Sequence, residues 1–240
     1  MASPFPQKVE RIGHRGAPQE FPENTLPAFL RALERGAGAV ELDVHATADG
    51  MVVVHHDALI ARATDTAHVG RKLAEMTWAE LQRVELAPSV FVPSLPQVLS
   101  AIAKRAVVYV EIKGAGIEAL VVETIRRGSV RCAVHSFDHQ LIRRCAQLAP
   151  EIPRGILFED QPVDVGASMD AASARDVWPH WKLVDKALVQ AVHARGGRVL
   201  VWTVNTPDVA SSMRAAGADG ICTDDIRVVD AALSDPRADG

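Results

Sequence analysis

The stretch Ala39-Val-Glu-Leu-Asp-Val-His-Ala-Thr-Ala-Asp-Gly-Met-Val-Val-Val-His-His-Asp57 reads as a strand and its return. Residues 39–44 are apolar except Glu41 and Asp43, which are two apart and so share one face of a strand. Ala48-Asp49-Gly50 then supplies the Asp-Gly pair that favours tight hairpin turns, and 51–55 is a second apolar run. A parallel neighbour would need a crossover of about a dozen residues or more, usually a helix. Three residues cannot hold one. Residues 51–55 are therefore expected to fold back antiparallel, as an excursion outside the main strand order.

Working outward, short apolar runs recur at 9–13, 107–112, 132–136, 155–158, 176–178, 198–204 and 220–223. With 39–44 they make eight strands. Amphipathic, helix-period stretches lie between most of them, at 26–34, 95–103, 117–127, 139–147, 186–194, 207–215 and 226–233. Gly36, Gly128, Gly196 and Gly217 mark helix ends. No helix is read between 158 and 176. Eight strands alternating with helices predict a (β/α)8 TIM barrel, an α/β fold, with the 51–55 hairpin at its mouth. An open doubly wound sheet is the rival, and no GxGxxG supports it. Residues 57–93 then form a small insertion after the second strand, polar at first and helical over 78–84. The whole chain, 1–240, is expected to be one domain.

Composition narrows the function classes. Of 240 residues 48% are hydrophobic, enough for a barrel core, and the net charge of −4 argues against nucleic acid or an anionic membrane as the main partner. Cys132, Cys145 and Cys222 are scattered, as reduced buried thiols would be. The N-terminus has no apolar signal region and no window approaches a membrane span. A cytoplasmic enzyme without stable membrane insertion is the simplest expectation.

In such barrels chemistry gathers at the C-terminal strand ends. The first strand ends at His14-Arg15-Gly16, the second carries Glu41 and Asp43, the third ends at Glu111-Ile112-Lys113, and the seventh carries Trp202. Charged groups in apolar strands are costly unless paired or ligated. Three carboxylates at one barrel mouth form a hard-oxygen site suited to Mg²⁺ or Ca²⁺. Surface salt bridging is the plainer explanation, disfavoured because the pattern recurs on two neighbouring strands. Arg15 suits a phosphate through paired hydrogen bonds. His14 and His56 could divide acid and base roles near neutral pH. Of the other histidines, His45, His68, His139 and His193 are read as solvent-facing, while His135 and His180 lie near strand ends where substrate contact is possible.

Together the blocks HRGAPQEFPENTLPAF (14–29), VELDVHATADGMVVVHHD (40–57), VYVEIKG (108–114), HSFD (135–138), VLVWTVN (199–205) and GADGICTDD (217–225) resemble the glycerophosphodiester phosphodiesterases in order and spacing. The resemblance implies a (β/α)8 barrel with an insertion after the His-Asp motif. It also implies hydrolysis of glycerophosphodiesters to sn-glycerol 3-phosphate and an alcohol, assisted by a divalent cation. His14 and His56 match its acid/base histidines, with His14 assigned as base and His56 as acid. Glu41, Asp43 and Glu111 match the metal ligands. Arg15, Lys113 and Trp202 match the phosphate- and substrate-contacting residues. Glu23 and Asn24 fall in a matching block without a firm role, and Asn24 or Thr25 could instead cap the next helix. The run after His56-Asp57 departs from the family pattern, Arg62-Ala63-Thr64 standing where an Arg-Thr-Thr-like run is usual. The alcohol is expected to be loosely read, with turnover of different headgroups within about tenfold. Alternatives are a lysophospholipase D or a phosphatidylinositol-type phospholipase C, the latter without need of the carboxylates. A more distant one is a non-catalytic phosphate-ester binding protein.

Overall fold

In the computed structural model, which describes residues 9–160, 162 and 164–233, strand and helix alternate eight times. The strands are β1 (Glu10–His14), β2 (Ala39–Ala46), β3 (Val107–Ile112), β4 (Cys132–Ser136), β5 (Arg154–Phe158), β6 (Asp176–Pro179), β7 (Arg198–Val201) and β8 (Gly220–Thr223). Each is followed by a helix: α1 (Leu26–Glu34), α2 (Leu95–Ile102), α3 (Glu118–Arg127), α4 (His139–Leu148), α5 (Val165–Ala172), α6 (Lys186–His193), α7 (Pro207–Ala216) and α8 (Ile226–Leu233). Every strand pairs in parallel with its sequence neighbours, and β1 pairs with both β2 and β8, so the sheet closes. The expected (β/α)8 barrel is the observed fold. Residues 1–8 and 234–240, within the span expected to be one domain, lie outside the described residues.

Strand alternation divides the core in two. Leu42, Val44, Val108, Val110 and Ile112 face outward and are sealed by helices such as α2 and α3, through Leu95, Leu99, Val121 and Ile125. Ile12, Ala39, Tyr109, Ala133, Leu157, Trp178, Leu200 and Cys222 fill the interior. At the N-terminal end Tyr109 Oη donates to Glu10 at 2.7 Å, and Arg198 donates to Tyr109 and Asp176 at 2.9 and 2.8 Å. This network ties the barrel floor together, and the cleft lined by strand-end residues opens at the other end.

Val52–Val54 pairs antiparallel with the C-terminal overhang of β2, Val44 opposite Val54 and Ala46 opposite Val52. This is the hairpin read from Asp49-Gly50, with Gly50 at φ 80°. Asp49 Oδ1 accepts from Thr47 Oγ1 at 2.6 Å and from the Trp78 N–H at 2.9 Å, tying the turn to the insertion. The insertion has its own small core of Val53, Ile60, Leu73, Met76, Leu81, Val84 and Val92.

Three local expectations are corrected. The insertion's helix is a single turn, Trp78–Leu81, followed by a hairpin of Glu85–Ala87 with Val90–Phe91. α5 exists where no helix was read; its buried face is Gly166, Met169 and Ala172, too small to print an apolar stripe. β7 stops at Val201, before Trp202.

Candidate active site

Seven of the eight expected site residues, His14, Arg15, Glu41, His56, Glu111, Lys113 and Trp202, line one cleft of about 240 Å³ at the C-terminal end of the barrel. The eighth, Asp43, is fully buried beneath it. Register explains the convergence. His14 lies beside Glu41 across β1 and β2, Asp43 beside Glu111 across β2 and β3, and Glu111 beside His135 across β3 and β4. Neighbouring strands thus carry their polar residues at one level. A larger groove, about 1010 Å³, runs along the flank between α2 and α3 and is lined by no histidine and by no buried carboxylate.

The β1–α1 turn is strained toward this site. Arg15 and Asn24 adopt left-handed φ values of 53° and 57°, unusual outside glycine. In return the Arg15 N–H donates to Glu41 Oε2 at 3.2 Å, and the Asn24 N–H donates to the Arg15 carbonyl at 3.0 Å. Asn24 Nδ2 donates to Asp43 Oδ2 at 2.8 Å, and the Asp43 N–H returns a bond to Asn24 Oδ1. Asn24 is therefore a support for Asp43. Thr25 occupies the cap position of α1 without a capping side-chain bond, and its hydroxyl donates to the Pro22 carbonyl instead.

Each of the two histidines is held by a carboxylate at Nδ1. His14 Nδ1 lies 2.6 Å from Asp224 Oδ1, and His56 Nδ1 lies 2.8 Å from Asp57 Oδ1. Such bonds set the tautomer and leave Nε2 for the cleft. Burial pulls the His14 pKa down, but the Asp224 bond and the nearby Glu41 charge outweigh it, so the ring is more basic than ordinary imidazole. Asp224 is fixed by Asn205, whose Nδ2 donates to its other oxygen at 2.6 Å and whose Oδ1 accepts from its N–H at 3.0 Å. His56 Nε2 receives a bond from Lys113 Nζ at 3.1 Å.

The carboxylates are poorly compensated. Burial, together with Asp43 and Glu41, raises the Glu111 carboxyl to about 7. Burial would also raise Glu41, but His135, His14 and Arg15 draw it below the usual range. Glu41 Oε1 and Asp43 Oδ1 are buried without a hydrogen-bond partner. Glu41, Glu111 and His135 bring potential ligand atoms within 4.8 Å of one another. Asp43 is partly satisfied by Arg15 Nε at 3.1 Å and Lys113 Nζ at 3.7 Å. Partnerless buried oxygens on Glu41 and Asp43, beside a Glu111 carboxyl pushed toward its neutral form, fit a divalent cation.

Sequence reading missed three contributors: Asp224, Asn205 and the placement of His135. His135 is buried, stacked on Trp178 at 4.4 Å and 12°, and 3.8 Å from Glu41. His180 packs edge to face on Trp202 at 5.4 Å. His45, expected to face solvent, is buried, its Nε2 3.0 Å from the His56 carbonyl oxygen, because β2 continues past the barrel into the hairpin. Among the described residues, no helix is long and apolar enough to cross a membrane.

The model of the glycerophosphoryl diester phosphodiesterase family matches residues 14–228. The uncharacterised protein YqiK of Bacillus subtilis is 36% identical over 232 residues, covering 89% of this chain and 93% of its own. A glycerophosphodiester phosphodiesterase of Caldanaerobacter subterraneus is 31% identical with the same coverage. Among solved structures, an Oleispira antarctica phosphodiesterase in complex with the product sn-glycerol-3-phosphate superposes with a TM-score of 0.86. It has 24% identity, over 94% of this chain and 97% of that one.

Proposed function

Because the chain belongs to the glycerophosphoryl diester phosphodiesterase family, we propose that it hydrolyses glycerophosphodiesters to sn-glycerol 3-phosphate and an alcohol. The observation that carries this reading is the pairing of two carboxylate-held imidazoles with buried acids and two cations in one cleft. The product held by the Oleispira relative is the one this reaction would release.

Glu41, Glu111 and Asp43 would hold a divalent cation, Mg²⁺ or Ca²⁺, with His135 at its edge. Bound there, the ion would supply positive charge to a phosphate oxygen. Arg15 and Lys113 orient the phosphate and stabilise charge that localises in the transition state. To reach it they exchange contacts they now make with Glu23, Asp43, Glu111 and His56, the last leaving His56 Nε2 free to carry the proton it gives. His14, made more basic by Asp224, takes the proton from the attacking oxygen. His56, held at Nδ1 by Asp57, returns a proton to the departing alcohol. Trp202 borders the alcohol side.

The separate roles are tested with glycerophosphodiesters of differing leaving group. His56→Ala should lose about 10²–10⁴ in turnover on an alkyl ester. It should recover much of that on a p-nitrophenyl ester, whose leaving group needs no proton. His14→Ala should be slow on both. Recovery of His14→Ala instead would reverse the assignment, and recovery of neither would remove the acid from the scheme.

A further inference from the structure

The catalytic groups occupy one half of the cleft, rising from β1, β2, β3 and the hairpin. The opposite wall is Phe137 after β4, Leu157 and Glu159 at the end of β5, Trp178 of β6 and Trp202 after β7. Apart from Glu159, its polar capacity is nearly spent. Trp202 Nε1 already donates to the Trp178 carbonyl at 2.9 Å. The Trp202 ring meets Phe137 edge to face at 5.6 Å and 86°, and Phe137 is itself 43% exposed. With one carboxylate, this wall replaces less of the water around a hydroxylated arm than the several carboxylates and cations opposite, so the glycerol half belongs with them. What remains for the aromatic side is the alcohol.

Glu159 gives that side a sign. It is exposed, borders the cleft, and makes no hydrogen bond or ion pair among the described residues. The cations of the cleft, Arg15 and Lys113, rise from the β1 and β3 ends, Lys113 bordering Phe137, and stay paired, now with Glu23, Asp43 and Glu111 and in the reaction with the phosphate. Aromatic faces attract cations through the ring quadrupole, and most effectively those with a weakly held hydration shell. An unpaired carboxylate beside them adds to the same preference.

We propose that Phe137, Trp202 and Glu159 form an alcohol subsite selective for cationic headgroups, quaternary ammonium above all. This narrows the expectation of a loosely read alcohol, and it rests on the diesterase reading given above. Selectivity should be moderate, because Glu159 is exposed and screened by salt. Wild-type kcat/KM for glycerophosphocholine should exceed that for glycerophosphoglycerol by about tenfold at low salt, and the gap should shrink as salt rises. Glu159→Gln should bring the two within about threefold. Charge reversal, Glu159→Lys, should favour the neutral ester.

Binding separates this idea from the reaction itself. With His14→Ala, which holds substrate without turnover, calorimetry should show glycerophosphocholine bound about tenfold tighter than glycerophosphoglycerol. The difference should collapse in His14→Ala/Glu159→Gln. A binding preference that depends on Glu159 in a protein that cleaves neither ester would uphold the subsite and sink the diesterase reading. Cleavage of both esters at equal efficiency, unchanged by Glu159→Gln, would overturn the subsite and leave the diesterase reading standing.

Discussion

At the scale of single residues, the consequential group is one whose importance the motifs did not announce. Thr223-Asp224-Asp225 offers two adjacent carboxylates after β8, and the string does not say which serves the site. The structure divides them. Asp225 caps α8 by accepting from the Arg227 N–H at 3.0 Å and pairs with the Arg227 side chain, while Asp224 turns to His14. Asp224→Asn should therefore act on catalysis rather than on folding. It removes the charge that raises His14, so the acid limb of the kcat/KM profile, expected above the ordinary imidazole value in wild type, should move to lower pH. Turnover should fall by roughly 10²-fold or more as the tautomer is lost. An unmoved acid limb, recorded on a variant with wild-type far-UV circular dichroism, would show that His14 is not the titrating base. In the doublet His55-His56 the resemblance picks His56, while the three valines before it do not say which face points inward. The structure gives His56 the Lys113 contact and turns His55 Nδ1 to the Asp57 carbonyl. His55→Ala should then cost less than about tenfold in turnover. A loss matching that of His56→Ala would move the site by one residue.

At the scale of elements, the barrel strands and seven of the eight helices were legible because each obeys one period. Residues 26–34 and 107–112 coincide with α1 and β3. What escaped did so for local reasons: α5 buries glycine, methionine and alanine, and the insertion's hairpin strands are three and two residues long. The candidate ligands were legible because charges in apolar strands stand out. His135 did not stand out, because one imidazole near a strand end looks the same whether it touches substrate or a carboxylate. The turn between β1 and α1 is the tightest joint of the site. Gly16 has φ 92°, and an added Cβ would lie 2.6 Å from the Ala28 carbonyl carbon in α1. Gly16→Ala should destabilise the fold by about 2–4 kcal/mol, combining left-handed strain with displacement of a packed helix. It should also displace Arg15 and lower turnover. Urea unfolding with an unchanged midpoint would show that α1 does not bear on this turn. A milder perturbation, Asp49→Ala, should cost about 1–2 kcal/mol by releasing the Trp78 N–H and loosening the insertion that follows His56. An unchanged melting temperature would contradict that tie.

At the scale of the molecule, the barrel has a floor locked by Tyr109, Arg198, Glu10 and Asp176 and a mouth that stores unrelieved negative charge. The sign of the resulting pH effect is fixed. Glu111 has a folded-state value of about 7 against 4.5 for the free side chain. Both states hold the proton below about 4.5, so no penalty exists there. As pH rises from about 4.5 to 7 the unfolded chain releases it first, and metal-free stability should fall by a few kcal/mol at most. Glu111→Gln should flatten that slope, and a saturating divalent cation should raise stability most above pH 7. A stability profile that rises over the same interval, with no response to the cation, would contradict the charge balance. The most direct measurement is hydrolysis of glycerophosphocholine followed by release of sn-glycerol 3-phosphate, with chelator-treated enzyme and after Mg²⁺ or Ca²⁺ is restored. Turnover should be lost to the chelator, return with the ion in wild type, and return poorly in Glu111→Gln. Full activity after chelation, or no release of sn-glycerol 3-phosphate with either ion, would contradict the assignment of this cleft as a cation-assisted phosphodiesterase site.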